Sequence, residues 1–487
     1  MKRVIAYLPL LFLPVFLSLN SCKDLIKSPV QPNFVFFITD DISWNDLGCY
    51  GHPVIRTPHI DELDRNGLMF ENFYLTASSC SPSRCSIITG RYPHNTGAAE
   101  LHTPLPSEQF MFPELLKEAG YYSVLSGKNH MGREVRRAFD TISPGRGPGL
   151  EDDWIEMMQN RPADKPFFFW FGSVDAHRDW QMDERGEYYS AEEVVVPPML
   201  YDGPMTREDL TGYYHEISRT DHILGEIVRE LKDQGVYENT YVVYMSDNGR
   251  PFPRCKTRVY DSGIKSPFII YGPDVEKGAR TGSLASSIDL SATFLELAGI
   301  DPDERILGTS LVPVLRSPDT RVRDFVFAEH NWHVFMAHER MVRYKDWVYI
   351  RNNLPERLNM CVESAPRFPS GEELWTAYED RLTSAEQEDI FMQPRPAEEL
   401  YNLAADPDQF YNLAALDEHR EMLDYLRKVL DQWTVQTSDN VPQNLTPDRQ
   451  TVEGERFEDF ERGEMPGVES GGMTSVNAGP VLESDVK

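Results

Sequence analysis

Four runs of apolar, β-branched and aromatic residues constrain this chain more than any other feature: NFVFFIT (33–39), KPFFFWFGSV (165–174), TYVVYMS (240–246) and SPFIIYG (266–272). Each is short and apolar on both alternating faces, the pattern of a strand covered on two sides. Between and after them a helical period appears in FPELLKEAG, in REDLTGYYHEISRTDHILGEIVRELKDQG and in SIDLSATFLELAG. The alternation predicts an α/β fold: a large, mostly parallel sheet flanked by helices. With 487 residues, 40% of them hydrophobic, the chain can bury such a core, as one large domain with an appendage or as two to four domains.

In such sheets the chemistry gathers beyond the carboxyl ends of the strands. NFVFFIT runs into Asp40-Asp41, and TYVVYMS runs into Asp247-Asn248-Gly249. One such pair alone is equally well a cap or a turn. Two at one sheet edge together offer the hard oxygen ligands that Ca²⁺ or Mg²⁺ requires. No nearby Cys/His cluster has zinc spacing. Cys80 stands in SSCSPSR, at the mouth of the short helical pattern CSIITGR. Read alone, it is a packed thiol, half of a disulfide or a nucleophile. The first backbone N–H groups of that helix would point with it at a bound anion, Pro82 suits the first turn, and Arg84 adds a fixed positive charge.

The tag C-S-P-S-R followed by T-G-R resembles that of the type I sulfatases, C-x-P-x-R and then T-G-R, whose cysteine a maturation enzyme oxidises to formylglycine. Other segments resemble the family in the same order: TDDISWNDLGCYG, AGYYSVLSGKNHMG, SDNG, SIDLSATFLELAGI and ELYNLAADPDQFYNLA, so that the likeness spans about residues 33–435. It implies an alkaline-phosphatase-like sulfatase fold with a smaller C-terminal α+β subdomain. It also implies one Ca²⁺ held by Asp40, Asp41, Asp247 and Asn248, and a hydrated formylglycine at position 80 as nucleophile. One hydroxyl of that diol attacks sulfur, and the second later expels sulfate. By the same resemblance Arg84 orients the diol, Lys128 and Lys256 bind sulfate oxygens, His130 assists at the nucleophile, and His177 protonates the leaving group. Taken singly, Lys128 also reads as a solvated charge, and His130 and His177 as structural histidines. Asp175 orients a histidine or contacts sugar, and Arg178 faces water. In EHNWHVFMAHERMVRY, His333 and Arg340, with His330, form the pocket wall or simply pack.

Within the family, SSCSPSR, Asp175-Ala176-His177-Arg178 and SDNGRPFPRCKTRVY are most similar to the heparan N-sulfatases, the sulfamidases that hydrolyse N-sulfoglucosamine. The chain departs from them at Lys256, where they have arginine, and at Ala176, where they have proline. Those changes keep the charge but leave the sugar, and N- against O-sulfate, open. The expected partner is therefore a sulfated oligosaccharide. N-sulfoglucosamine leads, O-sulfated algal polysaccharide of the ulvan type is the rival, and a glycan-binding lipoprotein that is never matured is the non-catalytic reading. A phosphatase of the same superfold, typically built on Ser or Thr with zinc, does not fit the tag.

Charge narrows the partners further. With 48 basic against 78 acidic residues, a net −30, the overall field repels nucleic acid, and an anionic substrate has to meet a local basic pocket. At the front, Lys2-Arg3 precede VIAYLPLLFLPVFLSL and then Leu19-Asn20-Ser21-Cys22, the form of a secretory signal cut before a cysteine. That placement resembles the bacterial lipobox. It implies a leader over 1–21, lipid on Cys22, membrane attachment through that lipid, and residence in the periplasm or at the outer surface of a Bacteroidetes-like cell. Residues 22–32 read as a linker, 33–322 as the catalytic domain, 323–436 as the C-terminal subdomain, and 437–487 as an acidic tail that is mobile or laid over the surface. Six cysteines are too few for a disulfide-built fold, and any pairing among Cys49, Cys85, Cys255 and Cys361 cannot be read.

Overall fold

The computed structural model describes Met1 and residues 31–486. The expected leader and the lipidation site at Cys22 lie outside the described residues. Fourteen strands run through them: β1 (Asn33–Thr39), β2 (Leu68–Phe70), β3 (Phe73–Tyr74), β4 (Tyr122–Gly127), β5 (Thr141–Ser143), β6 (Phe167–Gly172), β7 (Thr240–Ser246), β8 (Phe268–Tyr271), β9 (Ala279–Thr281), β10 (Ala285–Ser286), β11 (Phe325–His330), β12 (Glu339–Tyr344), β13 (Trp347–Asn352) and β14 (Glu398–Asn402). Eight form the large sheet, in the order β5-β4-β6-β1-β7-β8-β2-β9. Its centre is parallel, β4, β6, β1 and β7 running the same way, and the expected strand SPFIIYG becomes β8, antiparallel to β7.

Alternation decides which layer each side chain joins. Phe34, Phe36 and Ile38 of β1 enter one core with Ile87, Ile88, Phe112 and Phe294 from the helices on that face. Val35 and Phe37 enter the other, with Tyr213, Ile217 and Leu224 of the long helix Pro204–Asp233. Both faces are covered, which is why these runs carry no polar alternation. A second sheet, β11-β12-β13-β14, is wholly antiparallel, and the amphipathic helix Arg420–Thr437 packs Leu426, Leu430 and Trp433 against Phe327 and Tyr349 on it. Glu329 N–H donates to Thr76 O at 2.8 Å, which ties this sheet to the segment just ahead of Cys80.

The helix Cys80–Thr89 is buried along its whole length. It ends at Gly90, whose φ of +66° is the left-handed cap that favours glycine, and a Cβ there would stand 2.1 Å from Ser291 Oγ. Arg91 follows, fully buried, and donates only to carbonyl oxygens: Asn95 at 3.1 Å, Arg305 at 2.5 Å, Ser475 at 2.9 Å, Gly472 at 3.0 Å and Met473 at 3.1 Å. Burial pulls its guanidinium down to about 10. The T-G-R of the motif is thus a turn and an anchor for the end of the chain. The acidic segment, expected as mobile or surface-laid, lies over the surface. Trp332 Nε1 donates to Pro447 O at 2.6 Å, Phe460 stacks on Trp332 with centroids 5.4 Å apart, and Thr446 bonds Glu100 at 2.8 Å. These polar and aromatic contacts join it to the surface despite its composition.

Arg91→Ala is expected to cost about 2–4 kcal/mol, because several buried carbonyls lose their donor at once. A fall in the urea midpoint, with faster proteolysis of residues 438–486, checks it; an unchanged midpoint and an unchanged digest would show that the segment is held elsewhere.

Candidate active site

Strands β1 and β7 pair in parallel with Thr39 opposite Ser246, so the next residues of both, Asp40-Asp41 and Asp247-Asn248, emerge side by side. Asp41 sits at φ 58°, a left-handed position that aspartate tolerates, which turns its carboxylate back toward the strand ends. Backbone bonds lock the edge: Asp247 N–H to Thr39 O at 3.1 Å, Asp40 N–H to Asp175 O at 2.7 Å and Ala176 N–H to Asp40 O at 2.5 Å. Oxygens of Asp40, Asp41 and Asp247 and the Sγ of Cys80 all lie within 4.8 Å of one another, every one buried. Cys80 Sγ is 3.4 Å from Asp40 Oδ1.

Three buried carboxylates so close need cations. Arg84 Nε bonds Asp247 Oδ2 at 2.6 Å, and its other nitrogens reach Lys128 O and Thr39 O. Lys128, just past β4, donates to Asp40, and Lys256 to Asp41 Oδ2 at 2.7 Å. Asn248 Nδ2 bonds Asp41, while its Oδ1 is buried without a partner. An orphaned amide oxygen beside three carboxylates is a donor set suited to a hard divalent cation.

Burial pushes Asp41 up to about 7 and Cys80 well above the thiol range, so the sulfur keeps its proton. Burial likewise draws Lys128 down to about 7. Lys256, despite the cost of burial, is held well above its ordinary value, chiefly by Asp41.

The histidines line the same pocket. His130 Nε2 lies 2.7 Å from His102 Nδ1, and burial, with Lys128, draws it down to about 2. His177 Nδ1 donates to Arg178 O at 2.5 Å, which leaves Nε2 unclaimed; Lys256 first, then burial, hold its pKa far below the usual range. His333 Nδ1 is 2.7 Å from Ser79 Oγ, the residue before Cys80.

Three expectations change. Arg340 does not face the pocket: both its edges are taken by Asp439, at 2.6 and 2.8 Å, and by Asn331 and His338. Asp175 neither orients a histidine nor reaches for sugar, because Arg219 of the long helix clasps it at 2.8 and 2.7 Å. Arg178 does not face water; it binds Asp209 at 2.5 and 2.6 Å and stacks on Trp180, Phe252 and Phe368. Two groups went unseen in the sequence: His102, with Nδ1 2.7 Å from His130 Nε2, and Glu363, on the short turn Val362–Ser364 after β13, which puts Oε1 3.4 Å from Lys256 Nζ with Oε2 buried and unpartnered. His330 packs, bonded to Glu339 at 2.9 Å. Among the described residues the five cysteines are all free.

A large, mostly parallel sheet covered by helices, with a second antiparallel sheet toward the C-terminus, is the sulfatase, alkaline-phosphatase-like architecture. The chain belongs to the sulfatase family, whose model matches residues 32–143 and 150–300; the N-sulphoglucosamine sulphohydrolase C-terminal model matches 255–353. It is 28% identical to an ulvan-active sulfatase of Formosa agariphila, over 86% of this chain and 78% of that protein. It is 27% identical to the N-sulphoglucosamine sulphohydrolase of Homo sapiens, over 84% and 90%. Solved structures share the fold. One, in complex with its substrate D-glucosamine-2-N,6-O-disulfate, superimposes with TM-score 0.63 at 20% identity, covering 83% of this chain and 98% of that one. A phosphonate monoester hydrolase from Silicibacter pomeroyi does so with TM-score 0.61 at 18% identity, covering 83% and 95%.

Asp41 titrates near 3.8 when unfolded and near 7 when folded, so the metal-free chain loses stability through this group as pH rises between those values. A divalent cation has to displace that proton. Affinity for an added divalent cation is expected to rise between about pH 6 and pH 8, with protons released at the lower end, as read by calorimetry in two buffers. A flat profile would mean that Asp41 is already ionised.

Proposed function

We propose that this sulfatase removes sulfate from N-sulfoglucosamine-bearing saccharides, using Cys80 matured to formylglycine by a partner enzyme. The observation that carries the reading is the meeting of Cys80, at the first position of its helix, with the carboxylate cluster and two lysines in one buried pocket. A protonated, enclosed thiol is a poor nucleophile toward sulfur, which supports replacement of Sγ by an oxygen function.

Asp40, Asp41, Asp247 and Asn248 would hold Ca²⁺, consistent with the unpartnered Asn248 oxygen. The ion, when bound, supplies Lewis acidity and neutralises charge at the attacking oxygen. Lys128 and Lys256, which pair with Asp40 and Asp41 in this structure, would offer both ammonium groups to the sulfate oxygens if a cation took over those carboxylates. Arg84 stays fixed beneath them, holding Asp247 and the end of β1 in place. His177 offers Nε2 to the leaving nitrogen or oxygen. In the empty pocket the lysines keep that histidine neutral, and an incoming sulfate offsets their charge, so the proton is acquired together with the substrate. His130, held neutral, and His333, tied to Ser79, border the nucleophile.

The matched C-terminal model and the human relative support N-sulfoglucosamine. The ulvan-active relatives support the rival, an O-sulfated algal polysaccharide. The leader and Cys22 support export as a lipoprotein. No helix among the described residues is long and apolar enough to cross a membrane.

Mass spectrometry of the peptide carrying Cys80, from protein made in a host with the maturase, is expected to show the aldehyde. Sulfate release from N-sulfoglucosamine and from O-sulfated sugars then ranks the substrates. An unmodified thiol in protein that still releases sulfate would refute the nucleophile, whereas an unmodified thiol in inactive protein from its native host would favour the non-catalytic reading. His177→Ala is expected to lower kcat by about 10²–10⁴-fold, with the larger loss on the poorer leaving group. Equal losses on activated and unactivated leaving groups would remove it as the proton donor.

A further inference from the structure

In a chain of net charge −30, arginines gather beside the pocket on the acidic C-terminal segment. Two backbone contacts put them there. Arg449 N–H donates to Val334 O at 2.8 Å, one residue beyond the His333 that binds Ser79. Arg462 Nη2 donates to Leu101 O at 2.5 Å, one residue before His102, whose own N–H donates to Ser81 Oγ at 2.8 Å. The two arginines therefore bracket Cys80 through the residues on either side of it. Their guanidinium carbons lie 5.8 and 4.7 Å from the centroid of the Trp332 ring.

Charge compensation is incomplete. Arg462 has Glu100 at 3.0 Å, but among the described residues Arg367, Arg449 and Arg456 make no ion pair, and Arg449 Nε is buried without a hydrogen-bond partner. Loss of hydration, then Arg456, Arg462 and Arg367, draw the Arg449 guanidinium below its ordinary value. The same field reaches inward: burial, then Arg449, Arg462 and Lys256, lower His102. Phe457 N–H donates to Arg449 O at 3.0 Å and Gln450 bridges Arg456, so Arg449 and Arg456 stand on one short hairpin, on a molecule that is otherwise strongly negative. Guanidinium groups that lack a carboxylate partner are suited to take an anion from outside.

We propose that Arg449 and Arg456, with Arg367 behind them, form a second anion subsite that receives a carboxylate or further sulfate of the same saccharide, beyond the sulfate that is cleaved. This rests on the reading of the pocket given above. It makes the substrate a polyanionic sugar rather than a monosulfated one.

The test is calorimetric binding to the full chain carrying Cys80→Ala. Three probes are compared: glucosamine N-sulfate, glucosamine 2-N,6-O-disulfate, and a uronate-linked glucosamine N-sulfate disaccharide. At least one doubly charged probe is expected to bind about tenfold more tightly than the monosulfate, and the better of the two tells sulfate from carboxylate. Arg449→Ala with Arg456→Ala is expected to bring all three probes within about twofold of one another. Arg357→Ala, which removes a guanidinium paired to Asp448 on the same segment at 3.2 Å, is expected to keep the preference. Equal affinity for the three probes in the parent, or a preference that survives the double change in protein of unaltered melting temperature, overturns the subsite. Sulfate release by the matured enzyme tests the pocket separately. Release from glucosamine N-sulfate without any second-anion preference overturns the subsite alone, whereas preference without release from any probe overturns the assigned chemistry and leaves the subsite standing. If no probe binds, both fall.

Discussion

Three carboxylates forced together inside the protein are the constraint on which the rest of this structure depends. The register of β1 on β7 leaves Asp40, Asp41 and Asp247 no room to separate, and no isolated carboxylate survives burial without a counter-charge. Arg84, Lys128 and Lys256 answer that demand from three different elements: the helix that carries Cys80, the end of β4, and the loop after β7. These pairings close the fold around the site and leave three cations fixed beside Cys80, each set by the carboxylate it answers.

The arginines divide the labour differently. Arg84, Arg178, Arg219 and Arg340 each clasp a carboxylate inside the protein and hold a segment in place. On the final segment Arg449 and Arg456 make no ion pair among the described residues, while their neighbour Arg462 is paired with Glu100. A guanidinium with a fixed, planar fork is suited to the first task, and an unpaired one near a pocket to the second.

Much of this was legible in the sequence, for identifiable reasons. The central strands announced themselves because both their faces are buried, and β1 and β7 match the expected runs residue for residue. The acid pairs were legible because they directly follow those strands, and Cys80 because its neighbours form a local signature. Arg340, Asp175 and Arg178 were misjudged for a common reason. Their partners, Asp439, Arg219 and Asp209, are remote in sequence or on another element, and no local pattern tells a clasped charge from a free one. Glu363 was invisible because the loop that carries it has no period to read. The last segment looked disordered by composition, since its attachment rests on a few specific bonds to Arg91, Trp332 and Glu100 rather than on aliphatic burial.

That attachment bears on access to the thiol. Cys80 is 2% exposed, on a helix buried along its whole length, and the carbonyls of Gly472, Met473 and Ser475 are fastened to the arginine just beyond that helix. Any reaction at that sulfur therefore needs a state in which the helix is uncovered, and the contacts of Arg91 help to set how often such a state arises.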